Sequence, residues 1–440
     1  MEKIKLFLCY PALLFVITIV PLSCKRAQHF ELSRFVSPET CAGCHGDIYD
    51  QWKGSMHSLS HGDPIYLKVA LHDLKGLTDP DEIKEAELCV KCHTPVGFVS
   101  GLPVKTSDHG KEIPELAQKG VQCDFCHSAT GAGKIYNADL RLDPGNGEED
   151  PGTKRGPHRD SVSDYHKSDF SKFHTRSEIC GVCHDVRHVV FGTKLETSYE
   201  EWEKSPYASQ GIPCQGCHMY QRPGVPATGS TERPLNPGES ASGGPERKHV
   251  HTHYFAGGNS LVPGLSGAAV NANLAEERLK NAAVVSIDES GAGGTIRITV
   301  KNTGAGHSIP TGLAHVRQVW LEVKVTGRGG KTLVHSGRIE TNGALDPSSV
   351  IYHVVFGDGK GNPVYNVAKA REILKDRRIE AMKSLSESYQ LPEGSKGPFT
   401  VEAKLWYRLA PQEIIDAVAG KGAFKLPSVL MASDRKIINP

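Results

Sequence analysis

The chain has almost no net charge: 51 Lys and Arg stand against 50 Asp and Glu in 440 residues, a formal balance of +1. Without a basic excess there is no electrostatic footprint for general nucleic-acid binding, and no nucleic-acid partner is expected. Long apolar runs are equally scarce. A mean hydropathy of -0.35 excludes a polytopic membrane protein. The one sustained apolar stretch, Leu6 to Val20, is 15 residues long, short of the roughly 20 that span a bilayer. Aliphatic side chains are sparse in one half only. Leu, Ile, Val and Phe make up 34 of the 178 residues from Cys41 to His218, against 48 of 180 in residues 261–440. The first proportion lies below the ~20 % under which a chain rarely offsets its folding entropy with its own apolar surface.

What the chain does have is 12 Cys and 21 His. Ten of the cysteines fall into five copies of Cys-x-x-Cys-His: Cys41, Cys44 and His45; Cys89, Cys92 and His93; Cys123, Cys126 and His127; Cys180, Cys183 and His184; Cys214, Cys217 and His218. Zinc sites and disulfides also use paired cysteines, but neither requires a His directly after every pair. The pattern reads as c-type haem attachment, in which two cysteines form thioethers to one porphyrin and the next imidazole meets its iron. Five covalently bound haem c groups are expected, with the five motif histidines as proximal ligands. Sixteen histidines remain for five opposite positions. A sixth ligand comes from the far porphyrin face, so His188, one helical turn after His184, is a poor partner for that haem.

Lys3 and Lys5 before the apolar stretch, and Pro21-Leu22-Ser23-Cys24 after it, make residues 1–23 a secretory signal. Cys9 would leave with it. Cys24 resembles the modified cysteine of bacterial lipoproteins, although Pro21 stands where such signals usually carry Leu; a free cysteine or an uncleaved helix are the alternatives. Export to the periplasm or outer-membrane surface follows, with membrane attachment through Cys24 if that cysteine is lipidated.

The expected fold is α+β. Residues 24–37 read as a tether, 38–220 as a helix- and loop-rich pentahaem domain whose core the haems build, 221–260 as a Pro/Gly-rich linker and haem-contacting segment, and 261–440 as a β-sandwich-like domain with short helices. Period-two alternation marks strands there: Ile296, Ile298 and Val300; Val319, Leu321, Val323 and Val325; Phe399, Val401, Ala403, Leu405, Tyr407 and Leu409. Helices are expected at Leu274 to Ala283, Val367 to Lys375 and Pro411 to Ala419.

The first motif is followed by Tyr49-x-x-Trp52-x-x-Ser55-x-His57, which resembles a signature of the cytochrome c554 family. Cys92-His93-Thr94-Pro95, Gly120-Val121-Gln122-Cys123, the stretch from Gly156-Pro157 to His166, His174, and Ser177-Glu178-Ile179-Cys180 are similar to its other haem sites. His251 to Gly258, Gly304 to Gly312 and Leu405-Trp406-Tyr407-Arg408 resemble larger relatives with a C-terminal β-rich domain. The resemblance implies His57 as a distal ligand, with His166, His174, His253 and His307 as further candidates and His72, His109, His158 and His251 in reserve. Tyr199-x-x-Trp202-x-x-Ser205-x-Tyr207 echoes the signature after the fourth motif, with Tyr207 where His57 would stand. Cys89 to Cys123 and Cys180 to Cys214 are both 34 apart, which points to local duplication.

Haems packed into so small a unit pass electrons by hopping. Electron exchange with redox partner proteins is therefore favoured over catalysis. The alternative is a multihaem oxidoreductase acting on a small nitrogen or sulfur compound at one open haem, as the missing His at Tyr207 suggests. If haems build the first half's core, protein made in a host lacking haem attachment will show no cooperative unfolding of that half by circular dichroism.

Overall fold

The computed structural model describes residues 29–291 and 294–439. Residues 1–23, with Cys9, and the anchor candidate Cys24 lie outside them. The architecture is mixed: short helices dominate the motif-bearing half, and antiparallel sheets dominate the second.

The helices of the first half are brief because the sequence starts and stops them often. Pro64–Asp73 opens on Pro at its first position, and the Asp63 carboxylate accepts from the Ile65 and Tyr66 amides; Pro80–Ala86 opens the same way on Asp79. At ten and seven residues they are below the ~12–15 at which an isolated helix is even marginal. Tertiary packing must hold them. Yet the largest buried apolar cluster of this half, among the described residues, is only Phe35, Val96, Phe125, Ala129 and Leu142. The interior also holds a cavity of about 2280 Å³, lined by residues of both halves.

Residues 29–37 are not a free tether. They include a turn of helix at Leu32–Arg34, the Phe30 amide donates to the Val99 carbonyl (3.0 Å), and Phe35 is fully buried. The reason is apolar: Phe30, Leu32 and Phe35 complete the small cluster. Nor do residues 221–248 hang between two halves. A two-residue ladder of Gly238–Glu239 with Glu246–Arg247 lays this segment on the first motif, where the Ser242 amide donates to the Cys44 carbonyl (2.8 Å).

The second half builds its own core. One sheet runs in the order Ser384–Gln390, Thr295–Asn302, Ala283–Gly291. The other runs Thr332–Ser336, Gln318–Thr326, Phe399–Arg408, Ser428–Ile438, with Val350–Tyr352 also pairing Gln318–Thr326. All these pairings are antiparallel. The period-two reading holds: Ile296, Ile298 and Val300 point inward from one sheet, Leu321, Val323, Val401 and Leu405 from the other, and all meet in one cluster. The helix Gln412–Ala419 forms as expected, and Ala269–Lys280 lies a few residues upstream of its expected position. Val367 to Lys375 differs. Only one helical turn forms at Val367–Lys369, and Glu372–Asp376 becomes a strand because its backbone pairs with Val354–Gly357, overriding local helix propensity.

The two halves are joined by polar contacts and by loops. Arg371 pairs with Asp79 (2.7 Å), and the buried His188 donates through Nε2 to the Ala368 carbonyl (3.0 Å) while Nδ1 accepts from the Val190 and Phe191 amides. The turn Gly304 to Gly312 is pinned by Asn302, whose Nδ2 donates to the His307 carbonyl (2.8 Å). Gly304 is required there, since a Cβ would come 1.9 Å from the Asn281 carbonyl. Leu405 is fully buried at the centre of the sandwich, so Leu405→Ala should lower stability by about 2–5 kcal/mol. Chemical denaturation followed by circular dichroism will show this without a change in the haem absorption bands.

Candidate haem site

All ten motif cysteines, the five motif histidines and the five distal candidates line the one branched cavity. Each motif sits on a single turn, such as Cys123–His127 or Gln215–His218, so its two sulfurs and imidazole project to the same side. The motif imidazoles are oriented by carbonyl groups. Nδ1 of His45 donates to Ser240 (2.6 Å), of His93 to Ser60 (3.1 Å), of His127 to Arg155 (2.7 Å) and of His218 to Ala256 (3.1 Å). A proton held on Nδ1 leaves Nε2 as a free lone pair, the form in which imidazole binds a metal.

Four of these rings face a second imidazole across the cavity. His45 faces His166 at 6.5 Å between ring centroids, His184 faces His57 at 6.2 Å, His127 faces His253 at 6.4 Å and His218 faces His307 at 6.3 Å. Two metal–nitrogen bonds of about 2 Å end to end, plus two half-rings, come to about 6.3 Å. The residues present therefore fit a haem iron with two axial imidazoles at four motifs. The facing rings show the same tautomer logic: Nδ1 of His166, His253 and His307 each meets a carbonyl oxygen at 3.0 Å. Burial favours the neutral form of His57, His93 and His253, the form a ligand must have. Desolvation pushes His57 and His253 down to about 3 and His93 to about 4.

Four of the five expected distal candidates thus stand opposite a motif histidine, and the fifth does not. His174 lies 5.6 Å from His127, but its Nε2 meets the Cys126 carbonyl at 3.0 Å and so is turned to the backbone. His253 holds the opposite place. Of the reserves, His72 sits beside Asp73, and His158 and His251 cluster with His249 away from any facing position.

Tyr207 is not the mark of an open iron. Its hydroxyl donates to the Thr303 carbonyl (3.1 Å), and His307 faces the motif that follows it. The unpaired motif is the second. Among the described residues no imidazole stands across from His93 at the 6.2–6.5 Å spacing of the other four. Instead Tyr66 stacks on the His93 ring at 3.6 Å and 9°, and its hydroxyl meets His109 Nε2 at 3.0 Å. His109 is thereby tied to Tyr66, with His61 beside it at 5.1 Å.

The motifs also touch one another. Cys41 lies beside Cys123, Cys92 beside Cys183, and Cys180 beside Cys214. Since each sulfur marks the edge of its own porphyrin, the motifs order as first beside third, second beside fourth and fourth beside fifth. Sequence spacing could not show this, because Cys41 and Cys123 are joined only by the fold.

Residues 40–128 match the family model described as "Cytochrome c554 and c-prime". No curated protein sequence matches the chain. Among solved structures, the fold is similar to a penta-heme cytochrome c552 from Thermochromatium tepidum, with a TM-score of 0.60 and 22% identity over 93% of this chain and 100% of that one. These findings support a multihaem c-type cytochrome resembling the cytochrome c554 family.

The facing pairs make a discriminating prediction. In holo-protein, His253→Ala should convert one haem from low spin to high spin in the electron paramagnetic resonance spectrum, whereas His174→Ala should leave the spin states unchanged.

Proposed function

We propose that this chain, a multihaem c-type cytochrome resembling the cytochrome c554 family, carries five haems and acts as an exported electron relay. Its place is the periplasm or the outer-membrane surface, and Cys24 is the site at which a lipid would hold it there. The observation that carries the reading is the set of four facing imidazole pairs in one continuous cavity, with cysteines of neighbouring motifs side by side. Bound haem supplies the one-electron couple; the chain's residues set where each group sits and how exposed it is. Motif adjacency supports a route from first to third, third to fourth and fourth to fifth, with the second joined at the fourth. Cys126 also lies near Cys180, which supports the middle step. Cys44 is the exposed member among the ten motif cysteines, so the first haem's edge is the natural point of exchange with a redox partner protein.

A second reading draws on His93. A motif histidine without a facing imidazole leaves room for a small ligand at the sixth position, and an oxidoreductase acting on a nitrogen or sulfur compound would work there. The two readings separate in one titration of holo-protein with nitrite and with hydroxylamine. A relay predicts rapid reduction of all haems through one donor, with no turnover of either compound. Catalysis at the second haem predicts a high-spin signal shifted by the ligand, with its consumption coupled to reoxidation, and purely low-spin spectra would remove that reading.

A further inference from the structure

The repeated signature folds into two copies of one device. The rings of Tyr49 and Trp52 lie 5.8 Å apart at 43°, those of Tyr199 and Trp202 5.6 Å apart at 42°. Trp52 Nε1 donates to the Val121 carbonyl (2.8 Å), two residues before Cys123, and Trp202 Nε1 donates to the Ile212 carbonyl (2.9 Å), two residues before Cys214. Ser55 and Ser205 each cap the following turn. The helix after the first motif therefore holds the third motif as the helix after the fourth holds the fifth. The repeat is not the 34-residue spacing but this pair of helices.

The residue before each tryptophan takes part in the same way. Gln51 Oε1 accepts from the backbone amide of His253 at 2.8 Å. Glu201 Oε2 accepts from the amide of Ser308 at 3.0 Å and from Thr311 Oγ1 at 2.7 Å, directly beyond His307. His253 faces the third motif and His307 the fifth. We infer that Gln51 and Glu201 are equivalent positioning residues: each clamps the backbone that presents the facing imidazole to the second haem of its pair. The inference rests on the axial pairs proposed above.

The need for a clamp is physical. Both imidazoles are carried by irregular segments, and His307 has Gly304 and Gly306 just before it. A ligand on so free a backbone must be fixed before it competes with water for the iron, and one part-buried acceptor on a helix anchored by its tryptophan does so at little entropic cost. Glu201 additionally pairs with Arg378 of the β-rich half and accepts from Thr197 Oγ1. That ion pair ties the halves together, but it is the other carboxylate oxygen that meets the His307 turn.

Full-length holo-protein with Glu201→Ala, and separately with Gln51→Ala, should each lose the low-spin signal of one haem and gain a high-spin signal that added imidazole reverses. Glu201→Gln keeps an acceptor oxygen and should stay low spin. Arg378→Ala, which breaks the ion pair but leaves the Ser308 contact, should also stay low spin. Two correctly folded alanine variants with undiminished low-spin signals would overturn the clamp, as would an Arg378→Ala variant identical to Glu201→Ala. If Glu201→Ala fails to accumulate, Gln51→Ala decides alone. Wild-type protein without the low-spin signals of paired imidazoles would instead defeat the axial pairs themselves.

Discussion

The requirement that two imidazoles meet from opposite sides of one iron is the constraint on which this structure turns. Each facing pair joins distant segments: His45 to His166, His57 to His184, His127 to His253, His218 to His307. No helix or hairpin can satisfy such a pair locally, because residues one turn apart project to the same side. The first half is consequently short helices threaded around a cavity, two of them opened by an aspartate cap and a proline at Pro64–Asp73 and Pro80–Ala86.

The β-rich half answers the same constraint differently. It has an aliphatic core of its own, built by strands that alternate cleanly between buried and wet faces. That rigidity makes it a mount. From the end of Thr295–Asn302 it presents His307 to the fifth motif, and Arg371, Arg378 and the Ala368 carbonyl grip the first half at separate points. The sandwich thus carries one facing imidazole on a turn fixed to its own core, whereas His57 and His166 are carried by segments of the aliphatic-poor half.

The internal echo gains a meaning from these contacts. His57, at the end of the first signature, reaches from the first motif's helix to His184 in the second pair. Tyr207 stands at the same point of the second signature, and no sixth motif follows for it to reach. Its hydroxyl closes instead on the β-rich half at Thr303. The missing histidine thus does not coincide with the motif that lacks a facing ring among the described residues, that of His93, which carries no such mark in the sequence.

The five motifs and the strand alternation were legible because each depends on residues close together in the chain: a pair of cysteines with its histidine, and a period of two. His57, His166, His253 and His307 could be named as candidates from their surroundings, but His174 has equally suitable surroundings and turns its Nε2 to the Cys126 carbonyl. The attachments of residues 29–37 and 221–248 were not legible because their partners, Val99 and Cys44, lie elsewhere in the chain. What the sequence by itself determined was the kind of chemistry, since the two cysteines and the histidine of each haem-attachment motif stand within five consecutive residues. Which imidazole faces which, that among the described residues none faces His93 at the spacing of the other four pairs, and that Gln51 and Glu201 accept from the backbone beside facing imidazoles were decided only by tertiary structure, because a position opposite a motif is a relation in space that no local spacing encodes.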